Sequence, residues 1–202
     1  MSGVLCDISG VLAESSASGD GVAIPGSAEA VARLRAADVR IKFVTNESAR
    51  TRASLLGKLT RLGFELELED LLTPAMAMMV LVREQKLRPH LLVHPNVMED
   101  FAEADTADPN CVVIGDCAEH FTFGKLNEAF QVGADAENIF VIQKMCLFIQ
   151  VLLKSSTTPL YTLGKGKFYK EDDHLQLDVG PFAAALEFAS ERKAVVSACG
   201  TF

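Results

Sequence analysis

The sequence lacks any cluster of lysine and arginine. Its 19 basic residues are outnumbered by 27 acidic ones, giving a formal net charge of −8. Phosphate backbones require a basic face, so no nucleic-acid partner is expected. Also lacking is an uninterrupted apolar run of the ~20 residues a membrane helix needs, so no membrane partner is expected. The nearest candidate, Ile139 to Ile149, is shorter and is broken by Lys144. There is no CxxC pair, and the spacings of Cys6, Cys111, Cys117, Cys146 and Cys199 match no zinc pattern. An odd cysteine count without a signal peptide points to a reducing cytosol. Cys6 and Cys111 lie in apolar runs and read as buried thiols. Finally, Gly164-Lys165-Gly166-Lys167 lacks the hydroxyl residue and the spacing of a Walker loop, so it reads as a tight turn.

What is present is a globular composition. Hydrophobic residues make up 49% of the chain and mean hydropathy is +0.21. A chain of 202 residues can bury a sizeable core in one or two modest domains. The first segment to carry chemistry is Val4-Leu5-Cys6-Asp7-Ile8-Ser9-Gly10-Val11-Leu12. Its apolar lead reads as a short buried strand that ends at Asp7, and Gly10 breaks it. An aspartate at the carboxyl end of a buried parallel strand stands in the crevice where open α/β sheets bind ligands. Three roles are open to it there: attack on phosphorus, a hold on Mg²⁺ beside a phosphate, or a cap on the following loop.

A helix is expected from Ser27, with Ser27 as its N-cap, then a strand over Val39 to Val44. Together with the first strand these make a βαβ unit with parallel strands. The second strand runs into Thr45-Asn46-Glu47-Ser48, and a helix from about Ala49 to Leu62 should follow, stopped by Gly63. Thr45 and the amides at that helix start are candidate holders of a phosphate oxygen, and Ser48 or Asn46 is a candidate cap. From Pro74 the pattern repeats, with a helix over Ala75 to Glu84 and strands at His90 to His94 and Cys111 to Ile114. A strand at Pro159 to Leu163, a helix at Asp178 to Ala189 and a strand at Lys193 to Val196 complete the reading. His94 and His120 look isolated, and Asp116 reads as a loop residue.

Asp7-Ile8-Ser9-Gly10-Val11-Leu12 followed by Val44-Thr45-Asn46-Glu47-Ser48 resembles motifs one and two of the haloacid dehalogenase superfamily of phosphatases. Ser9 stands where that superfamily normally has a second aspartate. This feature resembles the phospholysine phosphohistidine inorganic pyrophosphate phosphatase branch. So do Pro109 to Ile114, Asn127 to Val132, Leu163 to Glu171 and Leu177 to Phe182. The resemblance implies an α/β fold, with a Rossmann-like parallel-sheet core and an inserted α/β cap. On it, 1–73 is the first part of the core, 74–176 the cap, and 177–202 the start of the return to the core. Segment 133–150 looks like an insertion, since Phe130-Gln131-Val132 and Ile149-Gln150-Val151 echo one another.

The resemblance also implies chemistry. Asp7 would be the nucleophile and Ser9 the acid of motif one. Asp7, Ile8, Ser9, Thr45 and Asn46 would bind the phosphoryl group, and Lys165 or Lys167 would meet an anionic substrate. Mg²⁺ would be held by the Asp7 carboxylate and the Ser9 backbone carbonyl. The implied substrates are phosphorylated small molecules or proteins bearing phosphohistidine or phospholysine, and inorganic pyrophosphate. A homodimer and a cytoplasmic and nuclear location are implied as well. Where the family pattern calls for Gly-Lys-Pro, this sequence reads Ser197-Ala198-Cys199 and stops at Phe202. On that reading the motif-three lysine and the motif-four aspartate are missing, and activity is expected to be impaired. The other class left open is a catalytically inactive module that binds phosphate or dimerises.

Overall fold

The computed structural model describes residues 3–14, 16, 19–131, 158–171 and 174–197. The expected insertion at 133–150 lies outside the described residues, as do Cys146 and Cys199. Along the chain run β1 (Gly3–Asp7), β2 (Ala13–Glu14), β3 (Val22–Ala23), α1 (Ser27–Ala36), β4 (Arg40–Val44), α2 (Arg52–Arg61) and β5 (Leu71–Leu72). There follow α3 (Pro74–Gln85), β6 (Pro89–Leu92), β7 (Cys111–Ile114) and α4 (Phe123–Gln131). Last come β8 (Leu160–Thr162), β9 (Phe168–Glu171), β10 (His174–Leu177), α5 (Val179–Ser190) and β11 (Val195–Val196).

β1, β4 and β5 form one parallel sheet in the order β1-β4-β5, with Asp7 opposite Val44. In β4 burial alternates. Ile41 and Phe43 point into a core with Val31 of α1 and Leu55 and Leu59 of α2, while Arg40 and Lys42 face out. Both helices therefore cover the same face of this sheet. β1 is an edge strand among the described residues, and its Leu5 is 63% exposed. The expectation of a buried first strand is corrected here: an apolar run without alternation matches burial on two faces, and the described residues cover only one. Cys6 is accordingly half-buried rather than buried.

The second sheet is parallel, in the order β11-β8-β7-β6. Every residue of β7 is buried, as expected for a central parallel strand with helices on both faces. One face packs on Met78, Met79 and Val82 of α3 and on Val97 and Phe101. The other packs on Ala129 of α4 and on Val179, Ala183 and Leu186 of α5. Phe121 and Phe182 stack on that side with centroids 3.7 Å apart. Two antiparallel hairpins, β2 with β3 and β9 with β10, stand apart from the sheets. No helix among the described residues is long and apolar enough to cross a membrane.

The stretch read as the return to the core, 177–202, needs correction over its described part. α5 and β11 complete the second sheet instead, with Val195 and Val196 registered on Tyr161 and Thr162 and Ser197 N–H donating to Thr162 O at 2.9 Å. Residues 198–202 lie outside the described residues.

Local chemistry explains the element boundaries. The cap of α1 is Gly26, at φ 81°, and not Ser27. Ser27 is the first helical residue, and its hydroxyl donates to Leu12 O and Ile24 O at 3.0 and 2.7 Å. α2 starts later than the sequence suggests. Glu47 N–H donates to Thr45 Oγ1 and Ala49 N–H to Glu47 Oε1, bonds that hold 45–49 as a loop. Thr51 is the true cap, accepting from Ser54 N–H at 3.1 Å.

Candidate active site

Asp7 ends β1 and lies at the carboxyl edge of its sheet. Leu12 and Ala13 donate back to Ile8 O, and Gly10 takes φ 75°, a left-handed conformation that glycine adopts without a Cβ clash. That tight turn leaves Asp7 and Ser9 exposed at the mouth of a crevice of about 520 Å³ between the two sheets. Ile8 N–H donates to Asp7 Oδ1 at 2.8 Å, which fixes the carboxylate and leaves Oδ2 without a hydrogen bond among the described residues. Asn46 lines the same crevice.

Two of the expected phosphate holders are placed differently. Ile8 is buried, and its N–H is already engaged by Asp7 Oδ1 and by Val44 O at 3.2 Å. Thr45 is 3% exposed and does not line the crevice; its hydroxyl oxygen receives Glu47 N–H at 3.0 Å. The N-terminus of α2 is not an open anion site either. Arg52 N–H donates to the carboxylate of Asp100, from the turn Pro95–Phe101, at 3.0 Å. Burial pushes the Asp100 carboxyl above the ordinary range, against the pull of that bond. A second bond joins the halves of the molecule, from Asp116 N–H to Ser48 Oγ at 3.1 Å.

The second sheet, the β9–β10 hairpin and the start of α5 supply the opposite wall. Asp116 is a loop residue as expected, yet it lines the crevice together with His94, Lys170 and Asp178. Burial raises its carboxyl first, and the charges of Asp178 and Glu47 add to the effect. His94 and His120 are not isolated: their rings meet edge-on at 5.5 Å. Lys165 does not face the crevice but pairs with Glu187 at 3.6 Å, and Lys167 does not line it. The turn that carries these lysines is shaped by contact with α5. Gly180 N–H donates to Gly166 O, and a Cβ on Gly166 would fall 1.7 Å from Asp178 Oδ2. The glycines there serve close approach and not a phosphate cradle.

Sequence reasoning missed Arg50, Lys58, Asp116, Lys170 and Asp178 as crevice residues. For Lys58 a signal was present. Leu55, Lys58, Leu59 and Leu62 fall on one stripe of α2, so a charge occupies a position of the buried face. The others reach the crevice through the packing of one sheet against the other, which leaves no mark in local sequence.

A family model described as haloacid dehalogenase-like hydrolase matches residues 4–107. The chain belongs to the haloacid dehalogenase-like hydrolase family. It is 45% identical over 194 residues to the phospholysine phosphohistidine inorganic pyrophosphate phosphatase of Homo sapiens, covering 96% of this chain and 64% of that one. It is 45% identical to the Bos taurus protein of the same name over 187 residues, covering 93% and 62%. The chain thus spans less than two thirds of the length of these relatives. Its fold is similar to that of a 4-nitrophenylphosphatase from Thermotoga maritima, with a TM-score of 0.73 at 19% identity over 95% of this chain and 66% of that one. The α/β architecture, with a parallel core sheet and a cap, is that of this group.

Proposed function

We propose that the chain is a phosphatase that works through an aspartyl-phosphate at Asp7, and that its substrates are phosphoramidates and inorganic pyrophosphate. The observation that carries this reading is Asp7 itself. It stands at a strand end in a two-walled crevice, with one oxygen held by Ile8 N–H and the other unengaged among the described residues. The unengaged oxygen attacks phosphorus in line. The bond from phosphorus to the leaving nitrogen or oxygen breaks, and its electron pair departs with the leaving group, which takes up a proton. Water then attacks the phosphoryl group and loses a proton, and the phosphorus–oxygen bond to Asp7 breaks, releasing phosphate. Asn46 orients the phosphoryl oxygens from the β4 side.

Ser9 is a poor proton donor, because a hydroxyl pKa lies far from neutral. Phosphoramidates and pyrophosphate fit that limitation, since their leaving groups need little acid help. The names of the human and bovine relatives support the same substrates.

Among the described residues no three acidic, histidine or cysteine side chains stand close enough to hold a metal. Magnesium does not need such a cage: it takes one or two carboxylates, waters and substrate phosphates. Asp7 and the Ser9 carbonyl, which accepts no hydrogen bond among the described residues, fit that demand. Bound there, the ion would neutralise charge on the phosphoryl oxygens. Phosphate release from imidodiphosphate and pyrophosphate, beside an Asp7→Asn control, tests the reading.

A further inference from the structure

Lys58 is 9% exposed, yet it lines the crevice. A buried ammonium without a partner is costly, so such groups are normally paired. Among the described residues no hydrogen bond or ion pair engages it. The two carboxylates near it are committed elsewhere. Asp20 receives both Nε and Nη2 of Arg61, at 2.5 and 2.9 Å. Glu47 holds Ala49 N–H at 2.9 Å and pairs with Arg50 at 3.8 Å. Arg50 also lines the crevice and stands close enough for its charge to act on Lys58. One wall therefore carries two cations with a single shared carboxylate, which is an arrangement that calls for an anion. Burial first, then Arg50, pushes the Lys58 ammonium below the usual lysine range. An anion between the two would relieve both effects.

Lys58 lies on α2 and Asp7 ends β1, and both line the same crevice. A substrate carrying two anionic groups can therefore meet both. We propose that Lys58, with Arg50, binds a second phosphate carried by the leaving group, so that among the proposed substrates the crevice favours those, such as pyrophosphate and imidodiphosphate, whose leaving group is itself an anion. This rests on the reading of Asp7 as the site of phosphoryl transfer. It adds a specificity residue on α2 to that site.

The test is calorimetric binding of pyrophosphate and of orthophosphate with Mg²⁺, using the Asp7→Asn chain to prevent turnover, with and without Lys58→Gln. Lys58→Gln should weaken pyrophosphate binding about 10-fold or more, the scale of a lost charge-assisted bond. Orthophosphate binding should change by less than about 3-fold, which also reports that the variant is folded, and Lys58→Arg should retain pyrophosphate binding. Equal pyrophosphate binding with and without Lys58→Gln would overturn the proposal. So would equal loss for both ligands, or the absence of pyrophosphate binding altogether. Turnover separates the two readings. Lys58-dependent binding in a chain whose wild type releases no phosphate leaves the subsite standing and removes the hydrolase. Phosphate release with Lys58-independent binding does the reverse.

Discussion

At the scale of single residues, the proposed reaction has Ser9 limit the leaving group that Asp7 can expel. If a weak acid at this position limits the chain to easily expelled groups, a better acid should widen its range. Ser9→Asp is expected to raise kcat for alkyl phosphate esters by about 10²-fold, the lower range for a positioned acid. Turnover of imidodiphosphate should change by less than about 3-fold. Steady-state kinetics on both substrates checks this, and an equal gain on both would contradict the leaving-group argument. His90, half-buried in β6, takes up its proton less readily than a surface histidine: burial holds its pKa below the ordinary value. The unfolded chain then binds a proton near pH 6.5 that the folded chain refuses. Stability from this group is full above about pH 6.5 and is lost as pH falls through the lower folded value. Urea midpoints at pH 7.5 and 5.5 should therefore converge in His90→Leu relative to wild type.

At the scale of elements, α2 joins the two halves of the molecule. Its first donors are taken by Thr51 within the helix and by Asp100 from across the crevice. Asp100→Ala removes a carboxylate from a helix N-terminus and should cost about 1 kcal/mol. Urea denaturation measures it, and an unchanged midpoint would show that the burial cost of Asp100 cancels its bond. Most elements were legible in the sequence because they obey local rules. β7 is an unbroken apolar run flanked by turn residues, and α3 opens with Thr73 as cap and Pro74 in its first turn. α2 was misplaced at its start because Glu47 and Thr45 bond to backbone in the loop, and side-chain choices of that kind are not periodic. Ser48 was legible as polar but not as the acceptor for Asp116, 68 residues away.

At the scale of the whole molecule, residues that follow strands of two parallel sheets line one crevice, and each side brings what the other lacks. The first side contributes Asp7, Ser9 and Asn46 with the cations Arg50 and Lys58; the other contributes Asp116 from the second sheet, Lys170 from the β9–β10 hairpin and Asp178 from the start of α5. Asp7 and Asn46 could be read as crevice residues because their strand ends are defined locally. The acidic wall could not, since Asp116 follows one strand and Asp178 caps a helix far along the chain. The assignment of α5 and β11 to the second sheet was hidden for the same reason: Val195 and Val196 are strand-forming in any sheet, and only register on β8 decides which. The central claim is that this crevice hydrolyses phosphoryl compounds through Asp7. Its most direct test is phosphate release from pyrophosphate and imidodiphosphate with Mg²⁺ by chain shown to be folded by circular dichroism. The account predicts release by wild type and a fall of at least about 10³-fold in Asp7→Asn. Release that survives Asp7→Asn, or none from folded wild type, would contradict it.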